Sequence, residues 1–172
     1  MRALRAAAAL LVFIVCALTA VRFVLPSLPC NREKAVANTA TILRDRARSS
    51  YEQTLRARKM AAACARCLEI FPNDPDFRIL LASNQHVLGE YAEAEQNYRT
   101  VLENNERADA YAFLALLELD LGRIEEARRH LYHAALFDMS FVELVSSPMR
   151  EEIYAEVMKR HDRLRRGSRP TS

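Results

Sequence analysis

Glycine, proline and aromatic residues are scarce in this chain. Its 172 residues include three glycines, six prolines and no tryptophan, and aromatic residues make up 8%. So few helix breakers, beside abundant Ala, Leu, Glu and Arg, favour helix throughout. A net charge of +3 without Trp argues against a nucleic-acid surface, which needs a clustered basic face or stacking side chains. We therefore expect an all-α protein with no nucleic-acid partner.

Sequence motifs of catalysis are also missing. Gly89, Gly122 and Gly167 are isolated, so no glycine-rich phosphate loop is present. No Gly-x-Ser-x-Gly or comparable nucleophile motif occurs. The sequence predicts no catalytic residue, no cofactor and no enzymatic activity.

Four cysteines, Cys16, Cys30, Cys64 and Cys67, are too few for a disulfide-scaffolded fold in a chain of this length. Cys64 and Cys67 form a CxxC pair, but no second pair completes a zinc site, and Leu68 stands where haem attachment needs histidine. We interpret both as small buried residues. A disulfide between Cys64 and Cys67, or one involving Cys30, stays open as the alternative.

One helical face carries potential metal ligands. Glu126, His130 and His133 follow the spacing i, i+4, i+7, and a carboxylate with two imidazoles can hold a transition metal. Arg129 stands beside them, and the face is expected to point outward. We interpret the three as a solvated polar stripe and predict no metal site.

The N-terminal region resembles a membrane-targeting segment. Residues 6–21 form an apolar run preceded by Arg2 and Arg5, the layout of a secretory signal. An uncleaved span over residues 1–25 approaches the roughly 20 residues needed to cross a bilayer; cleavage after Ala17 is the alternative. A linker over 26–40, containing Pro26 and Pro29, follows. We predict a single-pass protein of a bacterial-type inner membrane whose body lies in the periplasm.

The body contains an internal repeat. Residues 88–105 (LGEYAEAEQNYRTVLENN) align with residues 121–138 (LGRIEEARRHLYHAALFD) at an offset of 33. The alignment pairs four positions: Gly89 with Gly122, Ala94 with Ala127, Tyr98 with Leu131, and Val101 with Ala134. Upstream, residues 67–74 align with an offset of 34. This period, with Gly, Ala, a bulky residue and a small residue in order, resembles the tetratricopeptide repeat (TPR) family.

The resemblance implies a short α-solenoid of antiparallel helix pairs. The conserved Gly of that family forms the turn within a pair, and the Ala lets the two helices approach closely. The match divides residues 41–162 into a degenerate repeat (41–74), two good repeats (75–107 and 108–141) and a capping helix (142–162). In the degenerate repeat Leu55 replaces the turn Gly and Met60 the close-packing Ala, while Tyr51 and Cys67 occupy core positions. So few repeats make a homo-oligomer plausible.

Local signals indicate where several helices begin and end. Asp74 can cap a helix that begins at Pro75. Ser140 and Glu143 have the spacing of a capping box. Ser147 and Pro148 precede a final helix whose stripe of Met149, Ile153 and Val157 faces the last repeat. Residues 163–172 form a basic tail that we predict to be disordered.

The resemblance also predicts where a partner binds. In this family the first helix of each repeat lines a concave surface, and apolar residues there favour a groove for a partner helix or peptide. The predicted groove consists of ten residues: Ile79, Leu80, Ser83, His86, Val87, Ala112, Phe113, Leu116, Leu119 and Asp120. The expected function is a membrane-tethered adaptor that binds another protein; a non-catalytic subunit of a larger envelope complex is the alternative.

Overall fold

The computed structural model describes residues 50–167, and side chains over 51–166. All regular structure in this range is helical, which confirms the all-α prediction. The helices are α1 (Ser50–Ile70), α2 (Pro75–Leu88), α3 (Tyr91–Asn104), α4 (Ala108–Asp120), α5 (Ile124–Phe137), a 3₁₀ helix (Met139–Leu144) and α6 (Met149–Gly167). The predicted membrane segment, the linker and the start of the first repeat lie outside the described residues. Between residues 50 and 167, no helix combines the length and apolarity that a membrane crossing requires.

The chain divides into two compact units between Leu88 and Gly89. The N-terminal unit contains α1 and α2, and the C-terminal unit contains α3 to α6. In the N-terminal unit α1 packs against α2. Cys67 and Phe77 form one buried cluster there, and the rings of Phe71 and Phe77 stack with centroids 6.4 Å apart.

The turn between α1 and α2 follows the sequence prediction. An Asp74 carboxylate oxygen accepts hydrogen bonds from the backbone N–H groups of Asp76 and Phe77 at 3.0 and 3.3 Å. Pro75 occupies the first helical position, where its missing N–H is not needed. The predicted Asp74 cap is therefore confirmed.

The expected turn at Leu55 is wrong. Helix α1 runs unbroken through this position, because Leu55 lacks the freedom of glycine and its Ala-rich surroundings favour helix. Tyr51 is 77% exposed, so its assignment to the core is also wrong. Cys64 and Cys67, about one turn apart near the end of α1, are both buried.

Helices α2 to α5 repeat with the predicted period. Pro75 and Ala108, which begin α2 and α4, differ by 33 in residue number, as do Tyr91 and Ile124, which begin α3 and α5. Three of the four paired positions recognised in the sequence are buried: Ala94 and Ala127, Tyr98 and Leu131, Val101 and Ala134. Two segments of the chain thus form the same helix–turn–helix pattern.

Glycine is required at both turns of this pattern. Gly89 and Gly122 have φ angles of 79° and 74°, the left-handed region that side chains disfavour. At the second turn, Arg123 N–H donates to the Glu118 carbonyl at 2.8 Å and Gly122 N–H donates to the Leu119 carbonyl at 3.0 Å. This pair of bonds is a Schellman motif, which ends α4 and directs the chain into α5.

The C-terminal unit has one core shared by α4, α5, the 3₁₀ helix and α6. Ala115, Ala127, Leu131, Val142 and Ile153 are among its buried members. Ile153 and Val157 are buried, and Met149 packs against the same cluster, which confirms the predicted apolar stripe of the final helix.

Two boundaries in the C-terminal unit differ from the prediction. Asp138, rather than Ser140, caps the segment after α5: its carboxylate accepts from Ser140 N–H at 2.9 Å, and a 3₁₀ helix follows. The Ser140–Glu143 capping box is therefore wrong. Helix α6 continues to Gly167, so residues 163–167 of the predicted disordered tail are helical.

Candidate functional site

Half of the predicted partner groove is buried. Ile79, Leu80, Ser83, Ala112 and Phe113 are each almost inaccessible to solvent. The cause in α4 is that apolar residues surround the whole helix, so that it is covered on several sides. The prediction that these five residues form an exposed surface is wrong.

The other predicted groove residues differ in accessibility. In the N-terminal unit, Val87 is exposed and His86 is half-buried. In the C-terminal unit, Leu116 and Leu119 pack partly against the core, and Asp120 is exposed. Within each unit, therefore, the exposed candidates are Val87 and Asp120 respectively.

Exposed apolar residues recur at the start of the second helix of each pair. Tyr91 begins α3 and is 40% exposed, while Ile124 begins α5 and is 50% exposed. Both follow the turn glycine by two residues, so the repeat alignment itself contained the signal that identifies them. A large apolar residue kept exposed at the same point of two repeats is a candidate contact for a partner.

Glu118 is a second feature that sequence reasoning missed. Its side chain is fully buried in α4, although charged residues are rarely buried without a partner. One carboxylate oxygen, Oε2, lies 2.7 Å from Nδ1 of His130 in α5. The other, Oε1, has no hydrogen-bond partner among the described residues. The signal in the sequence was an acidic residue enclosed between Leu117 and Leu119.

Aromatic rings lie beside His130 and His133. The Tyr111 ring stacks on His133 with centroids 5.2 Å apart and on His130 at 6.1 Å. Tyr132 meets the edge of His133 at 6.0 Å. His130 therefore faces α4, and the interpretation of His130 and His133 as part of a solvated stripe is wrong for His130.

The spacing of Glu126, His130 and His133 suggested a possible metal site, which the adjacent Arg129 and the outward-pointing face argued against. In the structure Glu126 lies 3.9 Å from Arg129, and His130 is engaged by Glu118. Among residues 50–167 no group of three His, Cys, Asp or Glu side chains is placed to hold a metal ion. The contact between Glu118 and His130 instead connects α4 to α5.

A second polar contact joins α3 to the start of α5. Glu95 Oε1 accepts from Arg123 at 2.8 Å and from Arg99 at 2.6 Å. These hydrogen bonds, the one from Arg123 first, hold the pKa of the Glu95 carboxyl below its usual range. Arg123 directly precedes Ile124, so this contact lies beside the exposed Ile124 side chain.

The two cysteines of the CxxC pair are in different states. Cys67 is disulfide-bonded, whereas Cys64 is a buried thiol that takes no part in a disulfide. Both are buried, as interpreted from the sequence, but the alternative of a disulfide between Cys64 and Cys67 is wrong. Residues three apart on a helix have β-carbons about 5–6 Å apart, beyond the roughly 3.5–4.5 Å that a disulfide spans. The cysteine bonded to Cys67 lies outside the described residues.

Comparisons of the chain with protein-family models, with curated proteins and with solved structures find no match.

Proposed function

We propose that this chain is a membrane-tethered, non-catalytic adaptor that binds another protein through a short TPR-like repeat. The observation that carries the proposal is the repeated helix pair, which keeps a large apolar residue exposed at one equivalent position, Tyr91 and Ile124. Stacked helix pairs commonly use such recurring surface positions to bind extended partners.

The TPR resemblance is supported by details of the two pairs. Each has a turn glycine with positive φ, followed five residues later by a fully buried alanine, Ala94 or Ala127. These are the positions that the family's pattern assigns to the turn and to the close approach. These shared features support a TPR-like repeat in both segments.

The contact surface we propose differs from the predicted groove. Tyr91 and Ile124 contribute apolar area without opening the core, whereas Leu80 and Phe113 are buried and serve the fold. The proposed partner is a helix or extended segment with apolar side chains, since such segments bind exposed apolar positions spaced along a repeat.

Two observations favour a location outside the cytoplasm. Cys67 is disulfide-bonded, and disulfides persist in oxidising compartments such as the periplasm. The apolar run at 6–21, preceded by Arg2 and Arg5, has the character of a signal or anchor. Together they support a periplasmic body held at the inner membrane.

The adaptor can be tested by recovering tagged full-length protein from detergent-solubilised membranes and identifying what accompanies it by mass spectrometry. The test variant is Tyr91→Ser with Ile124→Ser. Exposed apolar anchors at an interface contribute about 1–2 kcal/mol each, so we expect about tenfold or greater loss of the partner. The matched control is Glu103→Ser with Arg129→Ser, which changes exposed polar residues of the same two helices.

Each outcome separates the adaptor from the alternative, a permanently assembled structural subunit. A discrete partner that the control retains and the test variant loses supports the adaptor. A complete multi-protein complex that both variants retain equally supports the structural subunit. Recovery of self-copies alone contradicts the adaptor and indicates a homo-oligomer.

A further inference from the structure

The last turns of α6 are strongly basic. Every residue over 159–166 is exposed, and Asp162 is the single acidic residue of this stretch. The basic side chains are Lys159, Arg160, Arg163, Arg165 and Arg166. Because the segment is helical, these charges are held in a fixed arrangement around one axis.

Apolar side chains accompany these charges. Leu164 lies about three turns after Ile153 and therefore on the same side of α6, but it is 65% exposed. Ile153 and Val157 on this side contact the core of the C-terminal unit. Tyr154 and Met158, four residues apart beside this stripe, are also exposed. The apolar stripe of α6 thus continues past the core that covers its first half.

We propose that the C-terminal half of α6 binds an anionic membrane surface. The membrane–water interface takes up the side chains of Leu164, Met158 and Tyr154, and the surrounding Lys and Arg side chains contact lipid phosphates. A helix that combines an exposed apolar stripe with a basic polar face has the two properties that interfacial binding requires. This inference rests on α6 alone and is independent of the proposed adaptor function.

Charge complementarity favours an anionic membrane over nucleic acid or a second copy of this chain as the partner of this surface. Nucleic acid would engage the basic side chains without using Leu164 or Met158. A second copy of the chain would bring the same basic residues together, which like-charge repulsion opposes. An anionic bilayer satisfies the charges and also buries the apolar side chains.

The absence of tryptophan from the chain permits a direct test. In Leu164→Trp the introduced indole is the sole tryptophan and reports the polarity at this position. The full-length variant is mixed with vesicles of phosphatidylcholine alone or of phosphatidylcholine with phosphatidylglycerol. We expect a blue shift of the emission with the anionic vesicles that high salt reverses, since screening weakens contacts between exposed charges. Glu103→Trp on α3 is the matched control, with no shift expected.

A second variant tests the role of the charges. This variant adds Lys159→Gln, Arg160→Gln and Arg163→Gln to Leu164→Trp. We expect its partition into anionic vesicles to be weaker on the order of 100-fold, since each basic residue contributes to the free energy of binding at such a surface. The apolar run at 6–21 is identical in all variants, so its own affinity for lipid cancels.

Three results would overturn the proposal. The first is an equal shift on neutral and anionic vesicles, and the second is no shift on either. The third is a shift that grows with protein concentration in the absence of vesicles, which would assign the surface to self-association.

Discussion

The free energy of unfolding of the His130→Ala variant is expected to be about 3 kcal/mol lower than that of the native chain. His130 Nδ1 lies 2.7 Å from Glu118 Oε2, and Glu118 is fully buried. Removing the imidazole leaves the carboxylate without its hydrogen-bond partner, and breaking a buried pair in this way typically costs about 3–5 kcal/mol. The low end applies because His130 itself is partly exposed. Chemical denaturation followed by circular dichroism measures the difference.

Two further variants separate the lost pairing from the lost packing. His133→Ala removes a ring that also stacks on Tyr111, and we expect a loss of about 1 kcal/mol or less. Adding Glu118→Met to His130→Ala removes the buried carboxyl group that has lost its partner and is expected to recover most of the stability. If the double variant is no more stable than His130→Ala, the buried carboxylate is not the cause of the loss.

The Cys67→Ala variant is expected to lose about 2–4 kcal/mol of stability and to become insensitive to reducing agents. Cys67 is disulfide-bonded, so the native chain should melt at a lower temperature when a reductant is added. Cys64→Ala is the matched control, because Cys64 lies about one turn earlier on α1 and takes no part in a disulfide. Thermal unfolding with and without dithiothreitol measures both.

The Cys64→Ala control also shows which result would contradict the assignment of the disulfide to Cys67. Cys64→Ala should keep the full reductant-dependent shift, with a smaller loss of its own from the cavity left by one buried sulfur. If Cys64→Ala abolishes the reductant response and Cys67→Ala keeps it, the disulfide has been assigned to the wrong cysteine.

The sequence was sufficient for features that depend on local chemistry and on the repeat. Gly89 and Gly122 were identified from their place in the period, and both have the positive φ that only glycine adopts easily. Asp74 before Pro75 predicted a cap that two backbone hydrogen bonds confirm. Each of these features is determined within a few residues of the chain.

Burial could not be predicted with the same success, because it depends on which helices cover a given face. Phe113 was expected to be exposed, yet it is buried, with its ring 6.3 Å from that of Tyr98 in α3. Glu118 was overlooked because an acidic residue in a helix is ordinarily solvated, and only the position of His130 on α5 shows why it is tolerated.

The position of the partner surface is the central claim, and photo-crosslinking in cells tests it most directly. A p-benzoylphenylalanine residue is placed at Tyr91 or Ile124, with Glu103 as the exposed polar control on α3. The account predicts that both test positions crosslink to the same protein, different from this chain, and that the control does not. Crosslinks of equal yield from Glu103, or crosslinks to copies of this chain alone, would contradict it.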